Sequence, residues 1–436
     1  MSDKNYLKLI VAHFGIGLLI FFFPFLAKVY TSLIVVISLY FIIKNRNKSN
    51  EALYTSGYII GSEVFLRSIY GIPIHEFGKY FGLLFILLGI YFNGIHHQKN
   101  PYWIYLLLLI PASIISMLEI STSNTPVSIS FNISGPISLG IYSLYTYKRN
   151  ITYHELNTIL LAIGMPILSY VFYLFLKCPI DNFVIGSTES NYILSGGFSP
   201  NQTATILGLG VFIFTTRFFL IPSSNKIKLV NIFLIIYIFY RTLLTFSRGG
   251  AITGIIINLT LLFCLLIIYA HNKSLKIKIS GYVFFLIAVF FLTSFQTNNL
   301  LWMRYANQNP NGLQKSYDVN GRKDIALSEI QLFKKNPLLG VGVGESTKIR
   351  KSKTGTITNS HSEITRMLAE HGLFGLLSLS ILIITPILLF LKNRQNFYMV
   401  CFFLFWLLTI NHSAMRIAAP SFIYALALFN LRKEEN

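Results

Sequence analysis

Apolar runs of bilayer-spanning length recur along this chain from end to end, separated by short polar breaks. The first part carries runs over Leu9–Leu26, Val29–Ile43, Ala52–Tyr70, Tyr80–Ile95, Tyr102–Leu118, Phe131–Tyr147 and Leu156–Leu176. Thr203–Leu220, Val230–Phe246, Ala251–Tyr269 and Gly281–Phe295 follow, and Leu373–Leu391, Phe397–Ile410 and Ala418–Leu431 come after a long hydrophilic interval. About 20 apolar residues of helix cross the hydrocarbon of a bilayer, and a helix satisfies its own backbone there. The pattern predicts an all-α polytopic membrane protein of about 12–14 transmembrane helices. Val29–Ile43 and the last two runs are the shortest. The sequence divides into a membrane domain (1–295), a long loop with an amphipathic helix and a His-centred motif (296–371), and C-terminal spans (372–436).

Charge adds the orientation. The formal net charge of +20 would suit a nucleic-acid binder, but the Lys and Arg residues sit in short loops between spans. Lys44 to Lys48, His96 to Lys99, Lys148-Arg149, Lys226 and Lys228, Lys273 to Lys278, Lys392 to Arg394 and Arg432-Lys433 alternate with loops poor in Lys and Arg, such as Glu119–Ser130 and Pro179–Pro200. The positive-inside rule puts both termini in the cytoplasm and the interval Gln296–His371 outside, since long loops translocate whatever their charge. With 53% hydrophobic and 12% charged residues, the composition excludes an ordinary soluble domain and nucleic acid as a partner. The first run has no small-residue cleavage site after it, so no cleavable signal peptide is expected. Cys178, Cys264 and Cys401 form no disulfide framework, and no His, Asp or Glu cluster has metal-ligand spacing, so no cofactor or metal is expected.

Four polar constellations fall on the outer side. Ser247-Arg248-Gly249-Gly250 ends one span, and Arg241 lies seven residues earlier. On one continuous helix face these guanidinium groups would stand about 10 Å apart and suit a diphosphate, which Arg binds in forked pairs. Arg248 alone also fits a side chain snorkelling to lipid headgroups. Gly196-Gly197-Phe198-Ser199-Pro200-Asn201 is a tight turn in which Ser199 or Asn201 could cap the next helix. Gly321-Arg322-Lys323-Asp324 opens an amphipathic helix to Lys335 with Ala326, Ile330 and Phe333 on one stripe. Gly340 to Gly344 then reads as a compact turn with its backbone close to another element. The basic run Lys348, Arg350, Lys351, Lys353 is either a solvated face or a surface for lipid phosphates.

The fourth constellation is Thr358-Asn359-Ser360-His361-Ser362-Glu363. Ser360-x-x-Glu363 is a capping box, so a helix should begin here with His361 in its first turn. The positive end of the helix dipole favours a neutral imidazole, able to accept a proton from a hydroxyl. Glu363, Glu345 and Asp324 are alternative carboxylate bases. Glu63 with Arg67, and His412 with Arg416, are structural ion pairs, helix-end anchors or further site residues.

TFSRGGAITG, GRKDIALSEIQLFKKNPLLGVGVGE, SHSEITRMLAEHGLFG and GGFSPNQTATILGLG resemble, in order and spacing, the O-antigen ligase and O-antigen polymerase superfamily over Gly196 to Leu377. The resemblance implies a polytopic GT-C-like fold and an inverting, metal-independent glycosyltransferase of the bacterial inner membrane, its active site periplasmic. The donor would be a glycan on undecaprenyl diphosphate. The acceptor would be a sugar hydroxyl on lipid A-core for a ligase, or on another lipid-linked repeat for a polymerase. By motif position Arg248 and Arg322 would bind the diphosphate, and His361 would activate or orient the acceptor hydroxyl. The family often carries an Arg shortly before the Gly-Phe-x-x-Pro-Asn segment; Glu189–Gly197 holds none, and Arg241 is a candidate replacement. The basic run at Lys348–Lys353 tilts the expectation toward ligase, while an acidic glycan repeat would suit it too. A protein glycan ligase is a further member-level option. From another class, a lipid-linked oligosaccharide flippase or transporter would place charges near the bilayer midplane and show pseudo-symmetric halves.

Overall fold

A computed structural model describes residues 2–118, 125–180, 186–315, 321–354, 360–394 and 396–432. Thr358, Asn359, residues 119–124 and 181–185, the Lys353 side chain and Lys433 lie outside the described residues. The helices run α1 (Asp3–Phe22), α2 (Leu26–Asn45), α3 (Glu51–Ser68), α4 (Phe77–Asn93), α5 (Pro101–Leu108), α6 (Ile110–Leu118), α7 (Thr125–Thr146), α8 (Tyr153–Lys177) and α9 (Pro200–Leu220). They continue with α10 (Asn225–Leu244), α11 (Arg248–Ile268), α12 (Lys273–Gln296), α13 (Leu300–Tyr305), α14 (Arg322–Lys335), α15 (Glu345–Thr354), α16 (Glu363–Lys392), α17 (Phe397–Ile410) and α18 (Ala419–Leu426). Two short strands, β1 (Asn150–Thr152) and β2 (Asn430–Arg432), pair in parallel.

Every predicted apolar run overlaps a helix, and Tyr102–Leu118 overlaps two, α5 and α6. Among the described residues nine segments are long and apolar enough to cross a membrane: α1, α2, α5 with α6, α8, α9, α10, α11, α12 and α16. The shorter α4 and α17 are apolar as well. The protein is an all-α, multi-pass membrane protein. The last run is shorter than its hydropathy suggests. Helix α18 stops at Leu426, and the Leu428 carbonyl instead accepts from the Lys148 amide before Asn430–Arg432 joins β1.

The chain forms two compact units, each made of two segments: Met1–Phe77 with Tyr153–Lys315, and Gly78–Thr152 with Ser316–Asn436. In the first unit α1 and α3 pack on α8, and α10 and α11 pack on α9. The α9–α11 crossing rests on Gly250 and Gly254, four residues apart on one face of α11. A Cβ on Gly254 would stand 2.7 Å from the Gly208 Cα, and one on Gly250 would stand 2.6 Å from the Ala204 Cβ. Small residues at this spacing let helix backbones approach in lipid, where packing rather than the hydrophobic effect holds helices together. The close approach sets the N-terminus of α11 beside that of α9, where Ser247 Oγ donates to Asn201 Oδ1 at 2.7 Å.

In the second unit α16 contacts α5, α14 and α17, while α7 packs on α18. Its core holds Tyr102, Tyr105, Trp406 and Tyr424. Pro386 lies inside α16. Proline cannot donate to the carbonyl four residues earlier, and that carbonyl, on Leu382, accepts from the Tyr424 hydroxyl at 2.8 Å. Tyr424 in turn bonds Tyr102 at 2.7 Å.

Helix α16 is also broken at Gly372, whose φ is 59° and ψ −134°. The carbonyls of Ala369 and Glu370 are taken by the amides of Val341 and Gly342, both at 3.0 Å, and the Leu373 amide donates to the Pro337 carbonyl at 2.7 Å. The Gly340–Gly344 segment is thus a turn with its backbone against another element, as its glycines predict. Gly340 itself has φ 72°, and a Cβ there would stand 2.4 Å from the Glu370 carbonyl carbon.

Gly250→Val would force apart the α9–α11 crossing. A loss of about 1–3 kcal/mol is expected from overpacking, measured as a lower unfolding temperature in detergent. The same change at Gly281, which has open space around it, should be nearly silent.

Candidate active site

His361 sits in the second unit, immediately before α16. The capping box is not formed. The helix starts at Glu363 with Ser362 at the N-cap and no side-chain cap bond. Ser360 Oγ instead bonds Glu329 at 3.3 Å and the Ser362 carbonyl at 2.8 Å, and Glu363 is held by Arg366 in an ion pair. A buried ion-pair partner outcompetes a reciprocal cap here, because Arg366 is buried and Glu363 supplies one of the two carboxylates that neutralise it. His361 is therefore outside the helix rather than in its first turn.

The wall behind His361 is built on Glu329, which the sequence reading missed. Its carboxylate is fully buried and accepts from Arg350 at 2.8 Å, Thr365 at 2.6 Å and Ser360. The predicted stripe on α14 is shifted accordingly. Glu329 and Leu332 are its buried residues, with Ala326, Ile330 and Phe333 at the margins. The signal was present in part, since Glu329 lies between stripe positions three residues from Ala326 and Leu332. Arg366 bridges Glu363 and Glu370 (the latter at 2.9 Å), Glu370 accepts from Ser346 at 2.8 Å, and Arg416 donates to the Ser360 carbonyl at 2.6 Å. Asn132, Ser360, Glu363, Arg366 and Arg416 line one small cavity.

The field at His361 is positive. Burial, then Arg322, Arg416, His412 and Arg350, lower its pKa from 6.5 to about 4. The shift runs in the direction expected from the sequence, toward the neutral imidazole, with burial and guanidinium groups as the cause rather than the helix dipole. His412 is also lowered to about 4, by burial and Arg322 against a stabilising bond to the Leu408 carbonyl. Of the carboxylates considered as bases, Glu363 is tied to Arg366 and Glu345 to Lys348, while Asp324 is exposed in the first turn of α14. The basic run is partly consumed inside the fold: Arg350 pairs with Glu329 and Lys348 with Glu345, which leaves Lys351 as its exposed member with a described side chain.

The first unit gathers Asn201, Ser247 and Arg248. Arg248 is the first residue of α11, and its Nη1 donates to Asn307 Oδ1 at 3.2 Å. Ser199 stands at the N-cap of α9 but makes no side-chain cap bond, and Asn201 accepts from Ser247 instead of capping. Arg241 and Arg248 do not share a helix. Phe246, with φ 54°, lies in the break between α10 and α11. Arg241 is buried, and its two amines donate to the carbonyls of Cys178 at 3.0 Å and Leu194 at 3.2 Å. Arg304 was missed because its short helix lies in what reads as loop. It donates to Phe246 O at 3.1 Å and to Glu189 and Ser190 at 3.2 Å. Arg67 pairs with Glu63 at 2.6 Å, both buried, and donates to Gln202 at 3.2 Å. Among the described residues no group of three or more His, Cys, Asp or Glu could hold a metal ion.

Residues 233–380 match the O-antigen ligase family model. The match covers Arg241, Arg248, Arg322, His361 and Glu363, and leaves Asn201 and Arg416 outside it. It supports the O-antigen ligase and polymerase superfamily to which the motifs point, a glycosyltransferase-like family. No curated protein matches the chain.

Glu329→Ala would leave Arg350 buried without its carboxylate, at an expected cost of about 3–5 kcal/mol. Glu329→Gln, which still accepts from Ser360 and Thr365, should cost less. Thermal unfolding of both variants in detergent checks the order. The histidines predict a pH effect. Folded values near 4 lie below the unfolded 6.5, so the unfolded chain binds more protons between them. Their contribution to stability is complete above pH 6.5 and is lost as pH falls toward 4. The double variant His361→Asn/His412→Asn should flatten unfolding temperature against pH in that window.

Proposed function

We propose that the protein is a metal-independent, inverting glycosyltransferase of surface polysaccharide biosynthesis. It moves a glycan from undecaprenyl diphosphate to a sugar hydroxyl at the outer face of the bacterial inner membrane, with both termini in the cytoplasm. The observation that carries this reading is a neutral, half-buried His361 in the field of Arg322, Arg350 and Arg416, mostly within the segment that resembles O-antigen ligases. The acceptor hydroxyl oxygen attacks the anomeric carbon from the face opposite the diphosphate. As the new C–O bond forms, the bond to the phosphate oxygen breaks and its electron pair leaves with the diphosphate. The hydroxyl proton passes to the imidazole. Guanidinium groups in a poorly hydrated site stabilise the departing charge without a metal. Arg322, in the second unit with His361, is the proposed diphosphate ligand there, and Arg248 is a proposed phosphate ligand of the first unit; Arg241 is proposed as a brace, since its two amines are committed to carbonyls.

Ligation to lipid A-core is favoured over polymerisation, chiefly on the description of the matched family. The exposed Lys351 supplies less phosphate-binding charge than the intact basic run would. The transporter reading fits less well. Glu63, Arg67, Arg241, Glu363, Arg366 and Glu370 are buried, but each lies within about two turns of a helix end.

A bound diphosphate would offset the positive field that holds the His361 pKa down. The acid limb of kcat, which reports the substrate complex, should therefore lie at higher pH than that of kcat/KM, which reports the free enzyme. Coincident limbs would remove the arginine-coupled role of His361. Deleting the gene and resolving surface glycan on a gel tests the reaction itself. Loss of polymer from lipid A with polymer still on the carrier is expected. A single repeat left on lipid A means polymerase, and unchanged glycan overturns both. His361→Ala and Arg248→Ala should each fail to complement the deletion.

A further inference from the structure

The second unit holds a cavity of about 540 Å³ far along the chain from the histidine motif, where the start of α5, the turn after α7 and the last turns of α16 meet. Its polar rim is Lys99, Lys148 and Lys392, with no carboxylate among its lining residues. Lys99 and Lys392 are exposed, and Lys148 is half-buried with its Nζ 5.1 Å from the Tyr147 ring centroid. The rest of the wall is mostly apolar and faces outward: Trp103 is 49% exposed, Ile104 57% and Leu388 53%. Three lysines, before α5, after α7 and at the end of α16, line one apolar cleft. Charge counting along the sequence assigns all three positions to the cytoplasmic side.

We infer that this cavity is a binding site for an anionic diacyl phospholipid, its phosphate held by Lys99, Lys148 and Lys392 and its acyl chains lying against Ile104 and Leu388. Basic pockets between transmembrane helices on the cytoplasmic side suit acidic headgroups, and a Trp at the membrane interface suits the boundary between headgroup and chain. A soluble phosphate compound would use the lysines but leave the apolar wall uncovered. A zwitterionic lipid would cover the wall but carry an ammonium into a cluster of ammonium groups. The occupant also has a structural role to play. The cavity wall includes Thr385, Leu388 and Leu389, which flank Pro386, where α16 lacks a backbone bond. A lipid seated there would brace that turn from outside, while the Tyr424 hydroxyl occupies the freed Leu382 carbonyl.

The test uses the full chain purified in detergent, with thermal unfolding and native mass spectrometry as readouts. Phosphatidylglycerol should raise the unfolding temperature and remain bound as a discrete adduct. Phosphatidylethanolamine and glycerol 3-phosphate should do neither. Each of Lys99→Gln, Lys148→Gln and Lys392→Gln should weaken phosphatidylglycerol about fivefold, from about 1 kcal/mol per basic residue. The triple Lys→Arg variant should keep the effect. Equal stabilisation by phosphatidylethanolamine would reduce the site to general lipid solvation, and stabilisation by glycerol 3-phosphate would make it a soluble-anion site. Undiminished phosphatidylglycerol binding by the three Gln variants would also overturn the proposal.

Discussion

A helix that breaks inside a protein leaves carbonyls with no partner, and in a membrane protein little water is at hand to satisfy them. Helix α16 breaks at Gly372, and the amides of Val341 and Gly342 take up the carbonyls of Ala369 and Glu370. Much of the second unit depends on that junction. The segment that supplies those amides follows directly on α14, so the repair anchors α14 against the first turns of α16. Helix α14 brings Glu329, and Glu329 fixes Arg350, Thr365 and Ser360. Ser360 is the residue before His361. The glycines of Gly340–Gly344 act on the candidate site through this chain of contacts.

The same cluster explains how a positive field can exist in a fold this poor in charge. Arg366 is paired with Glu363 and Glu370, and Arg350 with Glu329, so these two guanidinium groups face three carboxylates and most of their charge is spent inside the cluster. Arg322 and Arg416 add to the field, and both lower the His361 pKa. Buried pairs contribute little net stability, but removing one partner is costly. Their effect here is positional: they hold the backbone on which the histidine and the outer arginines stand.

The membrane architecture was legible because hydropathy reports the solvent of each helix directly. Runs as different as Tyr153–Lys177, largely buried, and Lys273–Gln296, largely exposed, are similarly apolar, because lipid and protein interior demand the same side chains. For that reason hydropathy says nothing of which helices associate, and the interleaving of Gly78–Thr152 with Ser316–Asn436 in one unit could not be read from it. The capping box failed for a related reason. Local patterns assume that a Glu in the first turn is available to the backbone, and Glu363 was already engaged by Arg366 three residues on. Glu329 was legible only in its spacing, because a carboxylate on an amphipathic helix normally marks its wet face, and only tertiary partners make it a core residue.

Hydrogen-bond saturation separates the arginines that hold the fold from those available to a ligand. Arg241 donates from both amines to main-chain carbonyls, and Arg304 donates from all three nitrogens to Phe246, Glu189 and Ser190. Guanidinium groups so occupied cannot also present a fork to phosphate. Arg248 is different. Its described bonds, to Asn307 and weakly to the Arg304 carbonyl, all use Nη1. It is also only half-buried, at the positive end of α11. The neighbours in its motif already have structural work, with Gly250 in the α9 contact and Ser247 on Asn201. Packing and hydrogen bonding thus account for Ser247 and Gly250, and leave the Arg248 fork for the phosphate-binding role proposed for it.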